Sequence, residues 1–323
     1  MKTFNVYHSS KAAQEAAVGE NKKWTDQLVE AVIMNDSQKV MVCLNHGANA
    51  AVQLVGDTLL NSAFGYRNEE VALMLLDDLH KRLSAEDFKN YLNQGHGLLP
   101  ETVLNAAARS DMPRVVSALI WNYDADPGLV KYGKSPLHAA CKYGSTATVK
   151  AFSDMVSLDF NVPEDTGMYK GFMPVDHLIA RGRLDLVQML LHKHNNVSLP
   201  LSHDPAKNRL SVIEALMSNY GISSHDKEIM LNFICDKCGV HYAELNPGRE
   251  AHGTLVSVRR NNREDTMALV YDADSMKLTR TTNLDINDLE KMRIGDSVKI
   301  VRPMRDTART QIDKYETLNL GRC

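Results

Sequence analysis

Two periods of apolar residues divide this chain. Between Trp24 and Ile234, apolar positions recur every three or four residues, the spacing that lines one face of a helix. These runs come as pairs. A short run such as Val103-Leu-Asn-Ala-Ala-Ala108 precedes a longer one such as Arg114-Val-Val-Ser-Ala-Leu-Ile120. From about His252 the pattern becomes alternating, which predicts strands over 254–259, 267–271, 276–281 and 297–301. Asn261-Asn-Arg, Asp272-Ala-Asp and Gly295-Asp punctuate them with turn chemistry. Residues 284–291 read as a short helix between the third and fourth strands.

The paired runs are repeats. The fullest is Gly133-Lys-Ser-Pro-Leu-His-Ala-Ala-Cys-Lys-Tyr-Gly144, followed by an amphipathic stretch over 147–155. Gly56-Asp-Thr-Leu-Leu-Asn-Ser-Ala63, Glu101-Thr-Val-Leu-Asn-Ala-Ala-Ala108 and Gly171-Phe-Met-Pro-Val-Asp-His-Leu-Ile179 share its register, each followed by a second apolar run. Eroded units stand at either end, the first closing on His46-Gly-Ala-Asn49 and the last running from Leu210 to Ile234. The positions equivalent to Ser135 are Asp26, Thr58, Thr102, Met173 and Leu210, about 33 residues apart in an ideal array of this kind. The widest gap contains 77–100, where 83–92 reads as an extended or additional helix. A Ser or Thr there caps the first helix, and Pro is tolerated next because its missing N–H would be unbonded.

This unit resembles the ankyrin repeat, whose signature is Gly-x-Thr-Pro-Leu-His-x-Ala-Ala-x-x-Gly followed by a second helix. The resemblance implies a mainly α solenoid of about five to six repeats, here followed by a small β-rich, barrel-like domain. The expected division is an N-terminal segment 1–23, a solenoid 24–234 with an insertion at 77–100, a linker 235–251, a β-rich domain 252–305 and a tail 306–323. The resemblance implies that His138 is a structural residue bonding backbone, and the packed side of the helix makes Cys141 a buried thiol rather than a nucleophile. The concave face carries the variable residues. On this chain those are Met34, Tyr66, Arg109, Lys142, Tyr143 and Arg181 at the ends of first helices, with Lys131, Tyr132, Tyr169, Lys170 and Phe172 on the turns. These side chains form an aromatic and basic stripe that would suit a protein partner with acidic and apolar features. The chain further resembles effector ankyrin proteins that bacteria deliver into host cells, which implies occupancy of a host protein's surface without chemistry.

Composition narrows the alternatives. The chain has 323 residues, with 44% hydrophobic and 24% charged positions and a net charge of −3, the ordinary globular range. From Gly253 onward 13 Lys and Arg accompany 11 Asp and Glu, against 24 and 29 before it. That mild bias, with few aromatics to stack bases, argues against nucleic acid as the main partner, although binding through the β-rich domain is one alternative. No run approaches the roughly 18 apolar residues that span a bilayer, and no secretory core follows the start. The expectation is a cytoplasmic protein, in the bacterial cytosol or, if exported, the host cytosol. Five cysteines do not suggest a disulfide framework.

Candidate chemistry is sparse. Cys235-Asp-Lys-Cys238, with His241 and His252, could ligate a tetrahedral zinc; the alternative is a free thiol pair at the end of the last helix. No other cofactor is indicated. Ser202-His-Asp204 and Ser224-His-Asp226 contain triad letters, but neighbours in sequence cannot adopt triad geometry. The phosphate-cradling loop, His-Glu-x-x-His and kinase signatures are missing. An enzyme using a Cys/His site, with the repeats docking its substrate, is the second reading.

Overall fold

Thr58, Thr102 and Ser135 each turn extended backbone into a helix. Their side-chain oxygens accept the backbone N–H three residues on, from Asn61, Asn105 and His138, at 3.1, 3.1 and 3.4 Å. His138 returns the contact, its Nδ1 lying 2.9 Å from Ser135 Oγ and accepting Ser135 N–H. At the fifth unit Met173 has no oxygen to offer, and Asp176 does the complementary half by accepting Met173 N–H at 2.8 Å. A computed structural model describes residues 20–54, 57–94, 101–131, 135–155, 158–165, 167–202, 211–217, 221–261, 265–305 and 308–314. The chain packs as two units, one comprising Met1–Phe160 with Glu164–Met168, the other Asn161–Pro163 with Tyr169–Cys323.

In the first unit, α1 (Glu20–Ile33) pairs with α2 (Ser37–Asn45). A hairpin of β1 (Gln53–Leu54) and β2 (Asp57–Thr58) leads to α3 (Leu59–Gly65) and α4 (Glu69–Arg82). After α5 (Ala85–Asn93) come α6 (Val103–Arg109), α7 (Pro113–Trp121), α8 (Pro136–Tyr143) and α9 (Thr146–Ser153). First helices stack in the order α1, α3, α6, α8, and second helices in the order α2, α4, α7, α9. Ala106, Ala107, Ala108 and Ala140 are buried where α6 meets α8, small enough to let the axes close.

The first helices α1, α3 and α6 end in a turn through the left-handed region, at Asn35 (φ 58°), Arg67 (φ 53°) and Asp111 (φ 56°). At the fourth unit Gly144 keeps φ at −72°. It is needed for space: a Cβ there would lie 2.6 Å from the Ala140 carbonyl oxygen and 2.9 Å from Thr148 Cγ2.

Two expected registers move. Asp26 lies inside α1 and caps nothing, so the first unit lacks the Ser/Thr start of its neighbours. Leu210 lies outside the described residues; the cap of the last unit is Ser211, which accepts Glu214 N–H at 3.0 Å while Glu214 accepts Ser211 N–H at 2.7 Å. The insertion resolves into both expected forms, since α4 runs on to Arg82 and Ser84 then starts the extra helix α5 by accepting Asp87 N–H.

The second unit holds α10 (Pro174–Ala180), α11 (Leu184–Lys193), α12 (Val212–Met217), α13 (Ser224–Cys238) and a sheet. The strands are β3 (His241–Glu244), β4 (Glu250–Asn261), β5 (Asp265–Asp272), β6 (Lys277–Thr282), β7 (Ser297–Val301) and β8 (Gln311–Lys314), with α14 (Ile286–Leu289) after β6. Their order is β3-β6-β5-β4-β7-β8; β3 runs parallel to β6 and all other pairs are antiparallel. Leu255, Ala268, Val270, Val298, Ile300 and Ile312 make its core.

The sheet is therefore open and mixed, and the expected barrel is corrected: β3 and β8 are the two edges and do not pair with each other. Curvature comes from a bulge between Leu255 and Ser257. Beside it sits Gly253, where a Cβ would lie 2.4 Å from the Tyr271 carbonyl oxygen. The stretch 235–251, expected as a linker, contains the last turn of α13, all of β3 and the first residues of β4.

Candidate functional site

Stacking of α1, α3, α6 and α8 brings equivalent helix-end positions into one row. Met34 follows α1 and is 71% exposed; Tyr66 follows α3 and Tyr143 ends α8, at 49% and 46%. Burial elsewhere on these helices explains the exposure. Apolar residues such as Leu28, Leu60, Leu104 and Leu137 point into the stack, and the helix-end residues lie beyond that face. The Lys142 ammonium sits 5.0 Å from the centre of the Tyr143 ring, a cation over an aromatic face.

Arg109, at the end of α6, is exposed but engaged. Its Nε and Nη2 donate to Glu101 Oε1 at 3.0 and 2.6 Å. This fork-to-carboxylate pairing offsets one of the cations that the sequence assigns to the stripe. Along the helix ends of the first unit the row thus presents Met34, Tyr66 and Tyr143 with Lys142 beside the last ring. Lys131 is half-buried, and Tyr132 lies outside the described residues.

The candidates of the second unit are placed differently. Phe172 is 4% exposed and packs with Ala180, Ala215 and Tyr169. Tyr169, Phe172 and His177 form a ring cluster with centroids 5.2–5.4 Å apart. Phe172 thus serves the core rather than a partner, because the turn folds its aromatic side chain inward. Tyr169 is half-buried against it, Lys170 is exposed, and Arg181 is half-buried at the end of α10.

The four suggested zinc ligands do not come together. Among the described residues no three His, Cys, Asp or Glu side chains are grouped as a metal site. Cys235 is 1% exposed on α13, and burial pushes its thiol up to about 12. Cys238 Sγ faces the Leu199 carbonyl oxygen at 3.7 Å, and burial raises its thiol as well. His241 is exposed at the start of β3, while His252 on β4 lies 3.2 Å from Glu250 Oε1. Cys43 and Cys141 are buried, and burial raises the Cys43 thiol; a nucleophile needs the opposite shift.

One large exposed aromatic was missed. Trp121, at the end of α7, is 61% exposed. The signal was present in the sequence, because position 121 falls off the apolar face marked by Val115, Val116, Leu119 and Ile120.

Residues 104–200 match the family model for ankyrin repeats, in three copies. Comparison with curated proteins finds no match to the chain. The chain thus carries ankyrin repeats, which are generally protein–protein interaction modules. Among the described residues, no helix is long and apolar enough to cross a membrane.

Proposed function

We propose that this protein binds a partner protein through the row at the ends of the first helices, and that it acts by occupancy. The observation that supports this is the alignment of Met34, Tyr66 and Tyr143, three large side chains left about half exposed or more on stacked helices. Tyr is among the side chains that anchor interfaces. The partner's matching surface is apolar, with acidic groups at its edge. Following the resemblance to delivered ankyrin proteins, that partner is a host protein.

The test is affinity capture from candidate host lysates with the wild-type chain and with the triple variant Met34→Ser, Tyr66→Ala, Tyr143→Ala. The variant should lose capture at least tenfold while its thermal melt is unchanged, since all three side chains are exposed. Capture that survives the triple change would overturn the assignment of this row.

A further inference from the structure

We propose that Cys235, Cys238 and Met276 form a site for a soft monovalent metal ion, Cu(I), held by two thiolates and a thioether. Cys235 and Cys238 are three residues apart, so they share one face of the last turn of α13. The chain turns back at Gly239 (φ 67°) into β3, where His241 N–H donates to the Met276 carbonyl oxygen at 2.9 Å. That bond sets the turn between β5 and β6 beside the end of α13. Met276 is an apolar side chain left 41% exposed, at a positive φ of 50° where glycine would cost less. Neither property serves the core of the sheet, to which Met276 does not belong. Its sulfur is fixed instead by Tyr271 of β5, whose hydroxyl donates to Met276 Sδ at 3.4 Å. Burial raises that hydroxyl, and Cys238, Asp272 and Cys235 add to the shift. Both thiols therefore lie within electrostatic reach of the group that holds the thioether.

The donor set selects the ion. Thiolate and thioether are soft donors, and such a set favours Cu(I) over the harder divalent ions. A structural zinc needs four donors, and among the described residues no imidazole or carboxylate is grouped with the two thiols to supply them. The Asp272 carboxylate is occupied by its own turn, accepting Asp274 N–H at 3.1 Å and Ser275 Oγ at 2.5 Å. On ligation each thiol releases its proton, so the ion replaces two protons and the complex carries one negative charge. The contact given up is a weak one, from Cys238 Sγ to the Leu199 carbonyl oxygen at 3.7 Å. Cys235 is 1% exposed, whereas Cys238 is half-buried and Met276 exposed, so the ion enters past the latter two.

The probe is Cu(I) itself, offered to the reduced full chain in competition with bathocuproine disulfonate, a chelator that colours on binding it. The chain should withdraw one equivalent, and the double variant Cys235→Ser, Cys238→Ser should withdraw none. Met276→Leu keeps the volume of an exposed side chain, and should hold the ion at least about tenfold more weakly with an unchanged melt. X-ray absorption at the copper edge should show a shell of sulfur alone. An equivalent still withdrawn by the double variant would assign the ion to Cys43, Cys141 or Cys323 and overturn the proposal. Equal affinity in Met276→Leu, nitrogen or oxygen in the shell, or no withdrawal by the wild-type chain would overturn it as well. Should the double variant melt early, Met276→Leu and the absorption edge still decide. The helix-end row belongs to the other compact unit, so loss of capture by its triple variant leaves this titration unaffected.

Discussion

Asn35, Arg67 and Asp111 occupy the same turn in three successive units, all with positive φ, where the repeat signature expects glycine. Holding a residue other than glycine there costs about 1 kcal/mol or more, so each must be repaid locally or remain a cost. Asn35 is repaid by Asn68, whose Nδ2 donates to its Oδ1 at 2.6 Å. Asp111 is repaid more fully, accepting from Ser145 N–H at 2.7 Å and Thr148 Oγ1 at 2.6 Å. Arg67 has a smaller return, the attraction of its charge for the Asp111 carboxylate. Arg67→Gly thus relieves the backbone cost and gives up that attraction, so stability should rise by no more than about 0.5 kcal/mol, read as a higher urea midpoint with an unchanged slope. Burial alone would raise the Asp111 carboxyl, but the Thr148 and Ser145 donors outweigh it and hold it below its ordinary 3.8. A lowered folded-state value means that the stabilisation is present above the ordinary value and is lost as pH falls through the folded one. Asp111→Ala should cost about 1–3 kcal/mol at pH 7, and the difference from wild type should shrink in melts run near pH 3. Sequence alone showed that these positions depart from the signature. It could not show which departures are repaid, because the donors lie one repeat away.

At the scale of elements, the extra helix α5 tests how an insertion joins a stack. Its helical period and its Ser84 start are both legible in sequence, whereas its docking is not. Phe88, Tyr91 and Leu92 are buried. Phe88 meets His80 of α4 and Tyr123 beyond α7, with ring centroids 4.8 and 5.5 Å apart. Tyr123 donates to Asp77 Oδ1 at 3.4 Å, and burial with that carboxylate pushes its hydroxyl up to about 12. The contacts that hold α5 are thus supplied by residues of two different units, which no local pattern reveals. Phe88→Ala removes the central ring and should cost about 3–5 kcal/mol. Hydrogen exchange should show the protection of 85–93 falling first, with α8 and α9 retaining theirs. The short strands β3 and β8 illustrate the opposite limit. Each has four residues, too few to establish alternation, so the predicted sheet stopped at four strands and the edges went unseen.

Across the whole molecule, the change of hydrophobic period near His252 does not mark the boundary between compact units. The helices α12 and α13 belong with the sheet, α12 packing on β4 and α13 on β3. A polar tie reinforces this. Arg280 of β6 donates to Glu228 of α13 at 3.2 Å and pairs with Glu244 of β3 at 3.8 Å. Tyr242 of β3 joins them, its hydroxyl pushed up to about 12 by burial and by Glu228. Arg280 thus ties a helix written in the helical period to two strands written in the alternating one. Period reflects local backbone geometry, whereas a compact unit is set by which surfaces are buried together, and these diverge where a helix closes a sheet. The expected consequence is cooperative: in native-state hydrogen exchange, α13 and β3–β6 should open with one common free energy. Arg280→Ala should lower it by about 1 kcal/mol for both elements alike, the size of a partly exposed charged hydrogen bond. Should α13 instead lose protection while the strands keep theirs, the helix would be a separate repeat merely adjoining the sheet.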